Sequence, residues 1–125
     1  MPVIRGSEIS HTERGNNRMS GLATPSRGAR EVMVWRTICA PGGGPPPHSH
    51  DGEEICVVLR GSGIVREDGG DPERFEAGDV IVAHRETLHE IVADDGVECE
   101  WIAALPAGTR TFRADGSELE IPWAT

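Results

Sequence analysis

The sequence predicts an all-β fold, an antiparallel sandwich or barrel built as one domain. Three observations predict it. Short apolar runs rich in β-branched residues recur at spacings of about 8–12 residues. Turns rich in glycine, proline or aspartate separate them. No window long enough for a substantial helix carries apolar residues at helical spacing. The 125 residues suffice for one domain with a real hydrophobic core.

The elements follow in order. Residues 1–30 are polar and glycine-rich and read as an N-terminal arm, with one short edge strand near Val3–Ile4. A barrel is expected over residues 31–106. Its strands are EVMVWRTIC (31–39), EEICVVLRG (53–61), GIVRED (63–68), a short one closing GGDPERF (69–75), GDVIVA (78–83), HEIVA (89–93) and VECEWIAAL (97–105). The tail, 107–125, either adds an edge strand at Glu118 to Ile121 or covers the barrel.

Alternation tells the faces apart. In VECEWIA, Val97, Cys99, Trp101 and Ala103 share one face, and Glu98 and Glu100 the other, as in a half-buried strand. EICVVL differs. Glu54, Cys56 and Val58 share one face, and Ile55, Val57 and Leu59 the other. Both faces are apolar enough to require cover. One lines the interior. The other packs on the N-terminal arm or on a second subunit, and a homodimer is the favoured expectation.

Charge and composition exclude several function classes. A net charge of −9 without a Lys/Arg cluster argues against nucleic acid and against an anionic membrane surface. No apolar run approaches the ~20 residues of a membrane helix. The N-terminus has no charged-then-apolar leader pattern, so a cytoplasmic location is expected. Cys39, Cys56 and Cys99 form no C-x-x-C pair, which fits reduced thiols. There is no tyrosine, so a tyrosine hydroxyl donates no proton here.

The chemistry concentrates in GGGPPPHSHDGEE, residues 42–54. In extended chain His48 and His50 point to one face. Glu54 follows an Asp51-Gly52 turn at the start of the next strand. Two imidazoles and a carboxylate converging on one point suit a divalent transition metal. Pro45, Pro46 and Pro47 restrict the backbone ahead of His48, so less entropy is lost when the ligands are fixed. A surface turn with incidental histidines is the bland alternative. His89, on a later strand, is a fourth candidate ligand.

At these residues the chain resembles the cupin superfamily, and in particular its small single-domain, metal-binding members. Gly42, His48, His50, Glu54 and Gly61 meet every position of the first cupin motif. Gly78-Asp79, with His89 eleven residues after the glycine, resembles the second. That motif departs at three places, with His84 for the usual proline, Glu86 for the glycine and Ala93 for the asparagine, so the turn before His89 is expected to differ in shape. The resemblance covers roughly residues 32–104. It implies an antiparallel double-stranded β-helix, or jelly roll, with a metal held near one mouth of the barrel by His48, His50, Glu54 and His89. Fe(II) is favoured, with Mn(II), Ni(II), Cu(II) or Zn(II) as alternatives.

The resemblance implies a metal-dependent enzyme acting on a small oxygenated organic molecule. A dioxygenase is expected first, and a lyase or isomerase second. A non-catalytic small-ligand binding or sensing cupin is the main alternative, and a storage-like cupin with a vestigial site is a third. His84 is a candidate acid or base at the mouth, or else an exposed loop histidine. Cys56 shares the inward face of Glu54, and reaches the pocket or simply packs in the core. Trp35 and Trp101 line a cavity or pack in core strands. Glu53 and His11 read as solvated surface groups. Arg36 or Arg85 is a candidate local positive charge for an anionic substrate.

Overall fold

A computed structural model describes residues 2–125. Among the described residues, twelve strands are present: β1 (Thr12–Arg14), β2 (Asn17–Ala23), β3 (Val32–Cys39), β4 (His48–His50), β5 (Glu54–Arg60), β6 (Ser62–Glu67), β7 (Glu73–Glu76), β8 (Val80–Ala83), β9 (His89–Ala93), β10 (Cys99–Pro106), β11 (Thr111–Arg113) and β12 (Glu118–Leu119). They form two six-stranded sheets, ordered β1-β2-β3-β10-β5-β8 and β12-β11-β4-β9-β6-β7. Neighbouring strands are antiparallel in both. The fold is an antiparallel jelly roll. Among the described residues, no helix is long and apolar enough to cross a membrane.

Strict alternation builds the core. On β3, Met33, Trp35, Thr37 and Cys39 turn inward; on β10, Cys99, Trp101, Ala103 and Leu105 do the same. Val58 and Ile81 join them from the first sheet, and Phe75, Ile91 and Ala93 from the second. One apolar cluster therefore joins the two sheets. Both tryptophans of the central strands are part of it, as packing groups.

The N-terminal segment departs from expectation. No strand forms at Val3–Ile4, where Val3 is exposed and has nothing to pair with. The strand lies at β2, which pairs with β3 through Met19↔Thr37 and Gly21↔Trp35. Its sequence, NRMSGLA, hides it, because serine and glycine are poor strand formers. The glycine has a steric reason. A Cβ at Gly21 would strike the carbonyl oxygen of Trp123.

The tail does two things. β12 forms at Glu118–Leu119, on the edge of the second sheet. Ile121, Trp123 and Ala124 then pack against the core, with Trp123 edge-on to Trp35 at 6.3 Å between ring centroids. An additional strand, β11, was not apparent in the sequence. It pairs with β4 in the register Thr111↔His50 and Arg113↔His48, and so flanks the histidine strand.

Candidate metal centre

Three strands from two sheets meet here. β4 and β9 are neighbours in the second sheet, with His48 directly opposite His89. His50 lies two residues along β4. The chain then crosses to the first sheet, where Glu54 opens β5. The crossing is pinned at Asp51, whose carboxylate accepts the Arg110 N–H at 2.7 Å. Gly44 lets the proline segment approach β9, since a Cβ there would collide with the Ile91 carbonyl oxygen. The glycines and prolines thus set the distance between β4 and its surroundings as well as its stiffness.

One ligand atom from each of His48, His50, Glu54 and His89 lies within 4.8 Å of all the others. The rings crowd together, with centroids 4.4 Å apart for His48–His89, 4.9 Å for His48–His50 and 5.3 Å for His50–His89. Glu54 Oε1 is 3.4 Å from His89 Nε2 and 3.7 Å from His50 Nε2. His50, Glu54 and His89 are buried, and His48 is half-buried.

The outer nitrogen of each ring is held. His48 Nδ1 donates to the Pro46 carbonyl at 2.7 Å, and His89 Nδ1 donates to the Thr87 carbonyl at 3.2 Å. A carbonyl only accepts, so Nδ1 carries the proton in both rings, and Nε2 is the atom turned toward the other ligands. His50 Nδ1 pairs with the Thr111 hydroxyl at 2.8 Å. This arrangement fixes ring orientation around a metal.

The donor set fits a divalent cation. Nε2 of His50 and Nε2 of His89 are buried with no hydrogen-bond partner. Leaving such atoms unsatisfied costs about 1–3 kcal/mol each, a cost that a bound cation removes. Burial, then His89 and His50, push His48 down to about 4. Burial alone raises the Glu54 carboxyl, but the facing His50 and His89 imidazoles outweigh it and hold the group below the usual carboxylate range. A neutral imidazole at His48 and an ionised carboxylate are the protonation states that metal ligation requires.

The turn before His89 keeps a left-handed backbone without the glycine. Glu86 sits at φ 60°, and its N–H donates to the His50 carbonyl at 2.6 Å. The turn is therefore tied to the histidine strand, and His89 stays in register with His48.

The other candidates separate clearly. Cys56 is fully buried beside Glu54. Burial, and then that carboxylate, push its thiol well above the ordinary range, and the side chain packs in the core cluster. His84 is exposed, with Nδ1 3.7 Å from Glu67 Oε1. Arg36 pairs with Glu100 on the outer surface, and Arg85 is exposed beside Glu86. Neither arginine lines the cavity; Arg66 and Arg74 do. His11 is exposed.

A cavity of about 540 Å³ opens between β6–β7 and β8. Val65, Phe75 and Ile81 line it together with His89, while His84 and Glu67 line its polar part. Glu67 stands opposite His89 in the β6–β9 register. Two contributors escaped the sequence reading. Thr111 is one of three threonines in a tail without a motif. Glu67 closes a strand whose partner only the sheet order reveals.

The cupin domain model matches residues 35–105. Auxin-binding protein T85 of Nicotiana tabacum is 38% identical over 71 residues, covering 52% of this chain and 37% of that protein. Anti-sigma-E factor ChrR of Cereibacter sphaeroides is 38% identical over 78 residues, covering 62% of this chain and 34% of its own length. The chain thus aligns with about a third of each of these curated relatives. The polyketide cyclase RemF of Streptomyces resistomycificus superposes with a TM-score of 0.75 at 24% identity, over 87% of this chain and 81% of its own, a likeness of fold. The matched span holds most of the strands of both sheets and all four converging side chains, and on that match the chain belongs to the cupin family.

Proposed function

We propose that this chain is a metal-dependent cupin enzyme acting on a small oxygenated organic substrate, with dioxygenase chemistry on Fe(II) as the favoured form and lyase or isomerase chemistry on another divalent metal as the second. One observation carries the reading: four ligand atoms within 4.8 Å of one another, two of them buried imidazole nitrogens with no partner. His48, His50, Glu54 and His89 would hold the metal. A bound divalent metal supplies Lewis-acid polarisation and, as iron, dioxygen chemistry.

The chain's own groups have separable tasks. Val65, Phe75 and Ile81 bind the apolar part of the substrate and exclude water from the inner cavity. His84 and Glu67, 3.7 Å apart at its polar part, take or return a proton there. The Thr87 and Pro46 carbonyls keep His89 and His48 oriented.

Elemental analysis of untagged protein tests the site. Near-stoichiometric metal in the parent, lost in His48→Ala, supports it. No metal after anaerobic loading with Fe(II), Mn(II), Ni(II) or Zn(II) sinks it. Substrate-dependent oxygen uptake by the iron form then separates the dioxygenase from the lyase and isomerase readings. The names of the curated relatives favour a second reading, a small-ligand binding or sensing domain. Thermal stabilisation by a small ligand without turnover under any metal would select it.

A further inference from the structure

The cavity beside the histidine cluster is acidic in a way that metal ligation does not explain. Strand alternation decides which side chains face into it. On β7, Phe75 belongs to the core, so Glu73, two residues before it, shares the inner face. On β6, Val65 packs against the same core, so Glu67, two residues on, also turns inward. Val65 stands opposite Glu73, and Glu67 opposite His89. The two carboxylates and the imidazole therefore lie along one path across the second sheet. Asp71 and Asp79 line the cavity as well.

Positive charge is turned away from it. Arg66 and Arg74 hold the alternate positions of the same two strands and point to the outer face. Acids of that face hold them there, Glu90 at 4.0 Å from Arg66, and Asp94 against Arg74. His84 is the other lining group able to carry a positive charge, and its Nδ1 already faces Glu67 at 3.7 Å. Among the described residues, neither Asp71 nor Glu73 has an ion-pair partner.

We infer that this cavity takes a small molecule carrying a protonated amine at one end and an uncharged hydroxyl or carbonyl oxygen at the other, and that Glu73 is the residue that selects the amine. The inference rests on the metal-dependent reading of the same site and names its substrate class.

A second observation points to a ligand here. His89 is only 2% exposed, lines the same cavity, and has an Nε2 without a hydrogen-bond partner. The oxygen donor belongs at that end, beside the metal. The ammonium belongs at Glu73. Two strand spacings and one two-residue step separate the backbones of His89 and Glu73, roughly 12 Å, and the two side chains shorten that gap to the length of a small molecule. Val65, Phe75 and Ile81 give the space between them an apolar wall. A carboxylate at the Glu73 end would meet like charge in a partly closed space, where repulsion is screened less than in bulk water. An ammonium there gains a charge-assisted hydrogen bond. The net charge of −9 attracts the same ions at longer range. Glu73 and Asp71 can hold the amine while Glu67 and His84 stay free to exchange a proton.

Isothermal titration calorimetry on the full, untagged chain tests this, both metal-free and loaded with Zn(II). The probes share a phenol and differ in end charge: tyramine, para-ethylphenol and para-hydroxyphenylpropanoate. Tyramine should bind at least about tenfold more tightly than para-ethylphenol, and the propanoate more weakly than either. Glu73→Gln should remove most of that preference and leave the para-ethylphenol constant unchanged. Asp71→Asn is the second variant and should weaken tyramine in the same sense. Equal binding of the probes, tighter binding of the propanoate, or no binding of tyramine to either form overturns the inference. So does a preference that folded Glu73→Gln leaves intact. A chain that binds no metal but keeps the charge order sinks the metal reading alone and leaves the selection of an amine standing.

Discussion

His50 and Thr111 share a buried hydrogen bond of 2.8 Å although 61 residues separate them. The bond joins the histidine motif to a strand outside the span that the family model matches. Thr111 is not among the four converging ligands; it is a positioning residue that fixes the His50 ring. Thr111→Val keeps the shape and removes the hydroxyl. Removing such a partner costs a metal site about 10–100-fold in affinity. Chelator competition should show that loss, Thr111→Ser should restore affinity, and the metal-free melting temperature should move little. Equal affinity in the valine variant would show that packing alone holds His50.

Acid should weaken the metal-free fold in a defined window. The folded His48 titrates near 4, below its unfolded value near 6.5. Above 6.5 both states are neutral and His48 contributes no pH dependence. Between 6.5 and 4 the unfolded chain takes up a proton that the folded chain refuses, so stability falls as pH falls. Glu54, depressed below the usual carboxylate range, adds a second loss once pH passes below its unfolded value near 4.5. Melting temperature from pH 7 to 4.5 should decline in the parent and decline less in His48→Gln. Parallel curves would remove His48 as the cause.

The three cysteines should be silent to a thiol reagent in the native protein. Cys39, Cys56 and Cys99 are fully buried. Burial, and then the neighbouring Cys99, push Cys39 up to about 11, and burial also raises Cys56 and Cys99. Only the thiolate reacts, so both access and ionisation are withheld. A chromogenic disulfide should find no thiol at pH 8 and three after denaturation. Rapid native labelling of Cys56 would reopen a catalytic role for it.

Legibility in the sequence followed how local each signal was. The strands β3, β5, β8, β9 and β10 were plain because each carries its own short apolar run bounded by turn residues. The four candidate ligands were readable because three lie within seven residues and the fourth keeps a fixed distance from a glycine. β2 was not, because its glycine answers to Trp123, about a hundred residues away in the chain. Thr111 was not, because its importance comes only from the β4–β11 register. The apolar outer face of β5 was visible as a requirement for cover, and sheet order identifies which neighbours share that requirement.

Glu86 offers the sharpest test of backbone strain. It holds φ 60° in the turn that delivers His89, where the family pattern has glycine. A side chain costs energy in that conformation, and a β-branched one costs most. Its N–H still reaches the His50 carbonyl, so the turn survives on that bond. Glycine removes the strain, and the freer unfolded chain returns part of the gain. Glu86→Gly should therefore leave stability unchanged or raise it by up to about 1 kcal/mol. Glu86→Val should lower it by about 1–3 kcal/mol and weaken metal binding as His89 shifts. Chemical denaturation of both variants with metal removed reads the strain alone, and titration with metal reads the displacement of His89. A valine variant as stable as the parent would mean that the turn does not need its left-handed residue.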